Sequence, residues 1–312
     1  MSEDAESLFE EVREFPDPQE AASLERLVGL DEIRARLLKE ARVLLHPGRL
    51  NDWSKRHYGR RVSLLDSFAD RFPLFIFAGD VGTGKTALAE SIGDPIARAE
   101  GIPLTLFRLS LNVRGSGAVG EMTKLLTKAF AHVREKGLKA ANPPGKPAAG
   151  FILLIDEADA LAQSRDLAQM HHEDRAGVNA LIRGVDTLAA EGIPAIVILC
   201  TNRFGAIDPA VRRRAAEIFE FRRPNDAQRL EVLRRALEDT GFSPAEIDVL
   251  AKATGPTNDS PGFTYSDLRQ RLLPDILLDA FPDRPVDFGR ALEITKGMKP
   301  TPAFQGDGHS NV

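Results

Sequence analysis

The sequence predicts an α/β fold in which helices cover a parallel five-stranded sheet and a small helical domain follows. Three observations carry this. The apolar runs "PLFIFAG" (73–79), "FILLIDE" (151–157) and "AIVILCTN" (195–202) do not alternate with polar residues, as suits strands buried on both faces. Segments with helical spacing lie between them, and strands alternating with helices make a parallel sheet. After "RRPND" (222–226) the strand signals stop and helical patterns run to residue 297.

Taken in order, residues 1–25 are an acidic segment containing "FPDPQ", read as a short helix and a mobile linker. In "LVGLDEIRARLLKEARVLL" (27–45), Ile33, Leu37, Leu38 and Leu44 recur at helical spacing until "HPGR" stops the helix. Strand 73–79 leads into the helix "KTALAESIGDPIARAEG" (85–101), strand "LTLFRLSL" (104–111) and a helix over 121–136. The loop "KAANPPGKPAAG" (139–150) precedes strand 151–157, helical material at 157–189, strand 195–202 and strand "EIFEF" (217–221). The large α/β domain thus spans 26–224 and the helical domain 225–297, leaving a polar tail, 298–312, expected to be disordered.

Bulk composition narrows the function. The 312 residues carry 43% hydrophobic and 28% charged residues, ordinary for a globular protein, and a net charge of −5. That balance argues against a broad nucleic-acid surface, with "KRHYGRR" (55–61) and "RRR" (212–214) as local exceptions. The single cysteine, Cys200, excludes a disulfide within the chain and suits a reducing compartment. The first residues lack the pattern of a signal peptide, and no apolar run approaches the roughly 20 residues of a membrane span, so a cytoplasmic location is expected.

Two glycine-rich stretches compete as a phosphate cradle. "GSGAVG" (115–120) fits the dinucleotide fingerprint, but that reading wants an acid about 20 residues on, at the end of the next strand. Here that acid is Asp156, beyond a long loop. "GDVGTGKT" (79–86) satisfies the P-loop pattern between a strand and a helix. Its glycines let backbone N–H groups wrap a phosphate, Lys85 reaches the β- and γ-phosphates of ATP, and the Thr86 hydroxyl holds Mg²⁺. "FILLIDE" supplies Asp156 for the Mg²⁺ shell and Glu157 to polarise the attacking water. The letters "DEAD" (156–159) invite an RNA-helicase reading, which needs a second RecA-like domain that the downstream residues do not form. Asn202 ends the next strand, where it can hydrogen-bond the nucleophilic water. The three arginines 212–214 read either as a solvated face or as a reach to a neighbouring subunit's nucleotide.

These stretches carry a resemblance. "LVGLDEIRARL", "GDVGTGKT", "FILLIDEADAL", "CTN", "IDPAVRRR" and "GFTYSDL" resemble, in order and spacing, the AAA+ ATPases, over roughly residues 26–290. The resemblance implies a P-loop AAA+ module with a helical lid, assembled as a homohexamer with ATP between subunits. It implies that Gly29 and Leu30 contact adenine through their backbone. Gly79, Val81, Gly82, Thr83, Gly84, Lys85, Thr86 and Asp156 would bind the nucleotide, and Thr86 and Asp156 the metal. Asn202 looks like the first sensor, and Arg213 and Arg214 like arginine fingers acting in trans. "GFTYSDL" is similar to the "GFSGADL" of many members, with Tyr265 replacing glycine and Ser266 at the second sensor, so no arginine is supplied there. "RGSGAVGEM" (114–122) falls at the first pore loop, whose substrate grip would come from Val113, Arg114 and Val119 in place of an aromatic. "SRDLAQMHHEDRAG" (164–177) falls at the second, with His171 and His172 in a polar pore lining.

The bare module and "AGVNALIRGVDTL" (176–188) look like the pachytene-checkpoint ATPases that remodel HORMA-domain proteins, in the bacterial versions encoded with CBASS antiphage operons. That resemblance implies a protein that opens a HORMA partner and separates it from a cyclic-nucleotide synthase, with no nucleic acid and no membrane involved. Two alternatives differ in class. A DNA-associated AAA+ ATPase, of transposition-regulator or helicase-loader type, would use "KRHYGRR". A protease-coupled unfoldase would carry a docking signal, which the sequence does not show.

Overall fold

The segments GFILLID and AIVILCT are buried at every position. They form neighbouring strands inside a six-stranded sheet, where the absence of a polar face is what burial on both sides requires. The structure, a computed structural model, describes residues 8–68, 70–111, 120–142, 145–161 and 172–303. These divide into two compact units, one of residues 8–25, 32–78 and 86–220, the other of 26–31, 79–85 and 221–303.

The first unit runs β1 (Glu11–Phe15), α1 (Pro18–Glu25), α2 (Asp31–Leu45), α3 (Gly48–Tyr58), β2 (Leu74–Gly79), α4 (Lys85–Ser91) and α5 (Gly93–Glu100). It continues through β3 (Leu104–Ser110), α6 (Glu121–Ala140), β4 (Gly150–Asp156), α7 (His172–Ala190), β5 (Ala195–Thr201), α8 (Pro209–Arg212) and β6 (Ala215–Phe221). The sheet order is β1-β3-β4-β5-β2-β6, and the β3–β4, β4–β5 and β5–β2 pairs are parallel. The carboxyl ends of β4, β5 and β2 therefore lie side by side, with Ala78 in register with Thr201. Ligands of open α/β sheets bind at that edge. On one face α6 and α7 contribute Leu126, Phe130, Val133, Leu181, Val185 and Leu188 to the core. Gly184 allows the close approach, because a Cβ there would stand 2.3 Å from the Phe130 ring.

The sixth strand is not in the five-stranded parallel sheet that the sequence predicts. β1 comes from the acidic segment read as helix and linker, and it pairs antiparallel with β3, Val12 opposite Phe107. Phe9 and Phe15 are buried, and Phe15 fills the space over Gly93, where a Cβ would lie 2.3 Å from its ring. The basic stretch at 55–61 caps α3. Lys55, Arg56 and His57 occupy its last turn, where they complement the helix dipole, and Gly59 turns left-handed with φ 68°. Among the described residues no helix is long and apolar enough to cross a membrane.

The second unit is helical: α9 (Asp226–Leu237), α10 (Pro244–Ala253), a π-helical turn (Asp267–Leu272), α11 (Leu273–Ala280) and α12 (Phe288–Gly297). Capping boxes open α9 and α10, Asn225 with Gln228 and Ser243 with Glu246, each satisfying two backbone N–H groups. Val28 joins Leu233, Leu250, Leu268 and Leu272 in its core. The tail expected to be disordered begins with a fixed segment. The Thr301 N–H donates to Asp267 Oδ2 at 3.0 Å and its hydroxyl to Oδ1 at 2.7 Å, while Arg223 donates to the Thr301 carbonyl at 2.9 Å. Residues 304–312 lie outside the described residues.

Candidate active site

In the second unit, residues 79–85 form a tight loop whose shape depends on its glycines. Gly79, Gly82 and Gly84 have φ of 153°, 75° and 97°. A Cβ at Gly79 would stand 2.0 Å from the Phe221 carbonyl oxygen, and one at Gly82 2.8 Å from Thr264 and Ser266. The Thr83 hydroxyl donates to the Asp80 carbonyl at 2.7 Å, and buried Lys85 donates to the carbonyls of Gly79 and Asp80 at 2.8 and 2.7 Å. Val81 is half exposed at the loop's tip. Ser266, which the resemblance would put at the second-sensor position, meets the loop through its backbone, its N–H donating to the Gly82 carbonyl at 3.2 Å. Arg223 Nε pairs with Asp80 Oδ2 at 2.8 Å and so ties the loop to Thr301. Near Gly29, which has φ 74°, Gln228 Nε2 donates to the Gly29 carbonyl at 3.3 Å, and Leu30 is buried. Burial pushes the Tyr265 phenol up to about 12, Arg269 opposing and Asp31 adding to the shift, so its hydroxyl stays neutral at working pH.

Thr86 follows in the chain and belongs to the first unit. Its hydroxyl lies 3.2 Å from Asp156 Oδ1 at the end of β4. Glu157 is exposed, its N–H donates to Asp156 Oδ1 at 3.0 Å, and its φ of 52° is positive, in contrast to ordinary non-glycine backbone. Strain of that kind costs about 1–3 kcal/mol and collects at functional sites.

Asp159 is a residue the sequence analysis did not single out. Its carboxylate accepts from the Thr201 hydroxyl at 2.5 Å, from the N–H groups of Asn202 and Arg203 at 2.9 and 3.2 Å, and from Asn202 Nδ2 at 3.0 Å. A carboxylate only accepts, so the NH₂ end of Asn202 must face it. The Asn202 carbonyl oxygen is thereby turned away, as an acceptor for a water O–H. The signal in sequence was the fourth letter of "DEAD", which gives no hint of a partner 43 residues on.

The three adjacent arginines separate. Arg212 stacks over Phe204, 5.4 Å from the ring centroid. Arg214 forms a two-pronged pair with Asp186, 2.6 and 3.0 Å, donates to the Ala210 carbonyl and sits over Phe72. Arg213 is exposed, and no described side chain pairs with it. Of the pore candidates, Val113, Arg114, Val119 and His171 lie outside the described residues, and of His172 only the backbone at the start of α7 is described. The stretch "GSGAVG" is outside as well, except Gly120.

The family model for the ATPase family associated with various cellular activities (AAA) matches residues 75–223. CD-NTase-associated protein 6 of Escherichia coli strain MS 115-1 is 50% identical over 300 residues, 96% of this chain and 96% of that protein. The chain belongs to the AAA family of ATPases. Its activity is ATP hydrolysis, and it binds nucleotide. A chain of the E. coli MS115-1 HORMA:CdnC:Trip13 complex superposes with a TM-score of 0.87 at 49% identity, covering 95% of this chain and 97% of that one. The Rhizobiales Trip13 structure gives 0.73 at 45% identity, covering 94% and 99%. The likenesses to these two Trip13 chains cover 95% and 94% of this chain.

Proposed function

We propose that this AAA ATPase forms a cytoplasmic homohexamer that uses ATP to open a HORMA-domain protein and release it from a cyclic-nucleotide synthase. The observation that carries this is the likeness to a chain whose solved complex holds a HORMA protein and CdnC, over 95% of this sequence. Val113, Arg114, Val119, His171 and His172 are the pore residues of this reading.

The chemistry follows from the two sets of residues. The loop 79–85 offers backbone N–H groups and Lys85 to phosphates, and the backbone of Gly29 and Leu30 reads adenine. Thr86 and Asp156 are hard oxygen donors 3.2 Å apart, a donor set that fits Mg²⁺, which binds through one or two carboxylates plus phosphates. Bound there, Mg²⁺ would neutralise phosphate charge. Glu157 takes the proton of the attacking water, and Asn202 orients that water through the carbonyl oxygen that Asp159 turns outward. Arg213 reaches the neighbouring subunit's phosphates, while Arg214, paired with Asp186, holds the end of α8 in place.

Substituting Glu157→Gln leaves an amide that accepts no proton, so turnover should fall by about 10²–10⁴ while ATP still binds. With a HORMA–synthase complex, the wild type should free the synthase in the presence of ATP, and the variant should stay bound to the HORMA protein. Turnover within threefold of wild type would remove Glu157 from its role. Synthase that stays complexed with wild type and ATP would remove the remodelling function.

A further inference from the structure

Asp156 is held by more than Thr86. Arg108 lies in β3, where Ser110 is in register with Asp156, and its Nη2 donates to Asp156 Oδ2 at 3.2 Å. Its Nη1 lies 2.7 Å from Glu90 Oε1. Glu90 Oε2 in turn lies 3.5 Å from Nη2 of Arg13 in β1. Glu90 is four residues beyond Thr86 in α4, so one helix face carries both the hydroxyl and the second carboxylate. The side chains form a row of alternating sign, Arg13, Glu90, Arg108, Asp156, flanked by Glu11 and Glu20 at 2.5 and 2.8 Å from Arg13 and by Glu10 and Glu11 at 3.8 and 3.9 Å from Arg108.

The row has slack in it. Glu90 Oε1 and Arg108 Nε are buried without a hydrogen bond of good geometry, although the two charges are close. An arginine leaving Asp156 has an acceptor waiting beside it. Asp156 is also the carboxylate that a divalent cation would need, and two positive charges on one carboxylate repel each other. From this geometry we infer that Arg108 is a positioning residue that competes with the divalent cation for Asp156, and that Glu90, braced by Arg13 of the N-terminal strand, draws it off when the cation arrives. The affinity for the metal–nucleotide complex is thus set in part from the sheet edge. This rests on the reading of Asp156 as a cation-binding carboxylate.

An alternating row makes an alternating forecast. Arg108→Met removes the competitor and should lower the Mg²⁺ concentration that half-saturates binding of a fluorescent ATP analogue by about tenfold. Glu90→Gln removes the nearest acceptor, leaving Arg108 the carboxylates of Glu10 and Glu11 at 3.8 and 3.9 Å, and should raise it by about threefold. Arg13→Met frees both Glu90 and Glu11, which Arg13 holds at 3.5 and 2.5 Å, to attract Arg108, and should lower it by about threefold. The double variant Arg108→Met/Glu90→Gln should behave as Arg108→Met alone, since Glu90 acts through the arginine. Arg108→Lys keeps the charge and should stay nearer wild type than Arg108→Met. Binding is read without turnover, and a melting curve for each variant reports folding. If Arg108→Met and Glu90→Gln shift the Mg²⁺ dependence in the same direction, or not at all, the inference fails. If one variant does not fold, the sign shown by the other still decides. Wild-type binding with no Mg²⁺ dependence would instead overturn the reading of Asp156 on which the inference rests.

Discussion

Asp159 has no place in the phosphate chemistry itself, yet four hydrogen bonds make it the residue that fixes Asn202. Asp159→Ala should lower kcat by about 10–100-fold, as losses of an outer supporting partner do, with ATP affinity within a few-fold of wild type. Steady-state turnover beside equilibrium binding checks this, and a proportionate loss in both would point to misfolding. The arginines divide in the same way. Arg213→Ala should cut turnover without moving the melting temperature, because no described side chain loses a partner. Arg214→Ala should cost about 0.5–1 kcal/mol, since its pair with Asp186 is partly exposed and screened, and turnover should fall only as far as α8 loosens. In sequence the three arginines are equivalent, and only the third dimension tells the stacked, the paired and the exposed one apart. The P-loop residues and the Asp156–Glu157 pair stand out in the sequence because phosphate and metal geometry demands fixed spacing along the chain. Asp159, Arg108 and Glu90 do not, because each acts on a partner far away in sequence.

Among the elements, the buried strands and the helices of the second unit follow from their apolar patterns. β1 does not, since its partner residues lie more than 80 positions away and only Phe9 and Phe15 of a mostly charged stretch are buried. α3 also escaped notice, having a polar surface that its basic last turn and Gly59 stabilise. The π-helical turn carries a pH-sensitive joint. Burial pushes the Asp267 carboxyl up, but the N–H of Thr264, the hydroxyl and N–H of Thr301, and Arg271 together outweigh it and bring the group down to about 2 from its ordinary 3.8. A carboxyl lowered by folding stabilises fully above its unfolded value and loses that contribution as pH falls through the folded one. About 2 kcal/mol should therefore disappear from the second unit between about pH 4 and pH 2. Chemical denaturation at stepped pH measures it, and Asp267→Asn should flatten the profile in that window while lowering stability at neutral pH. At α9, Asn225→Ala should cost about 1 kcal/mol at every pH, since the capping box is lost without a charge.

Across the whole molecule, nucleotide acts as a stabiliser by mass action. ATP analogue at 100 times its Kd should add about 2.7 kcal/mol, equally for wild type and Glu157→Gln. Lys85→Ala should show little gain, and calorimetric melting distinguishes the three. The discontinuity of the second unit has a consequence for how the protein is made. Residues 26–31 and 79–85 leave the ribosome long before Arg223, Gln228, Tyr265 and Ser266, their contacts in that unit. The interval from Lys85 to Ser266 takes roughly 10 to 40 s at ordinary rates of translation. Throughout it the strands of the first unit emerge and can pair, while the P-loop stands without the Arg223 guanidinium and the Ser266 N–H that donate to its Asp80 carboxylate and Gly82 carbonyl. A nascent chain thus gains its strands first and its competence for ATP last, so that only a nearly finished copy can draw on the nucleotide pool.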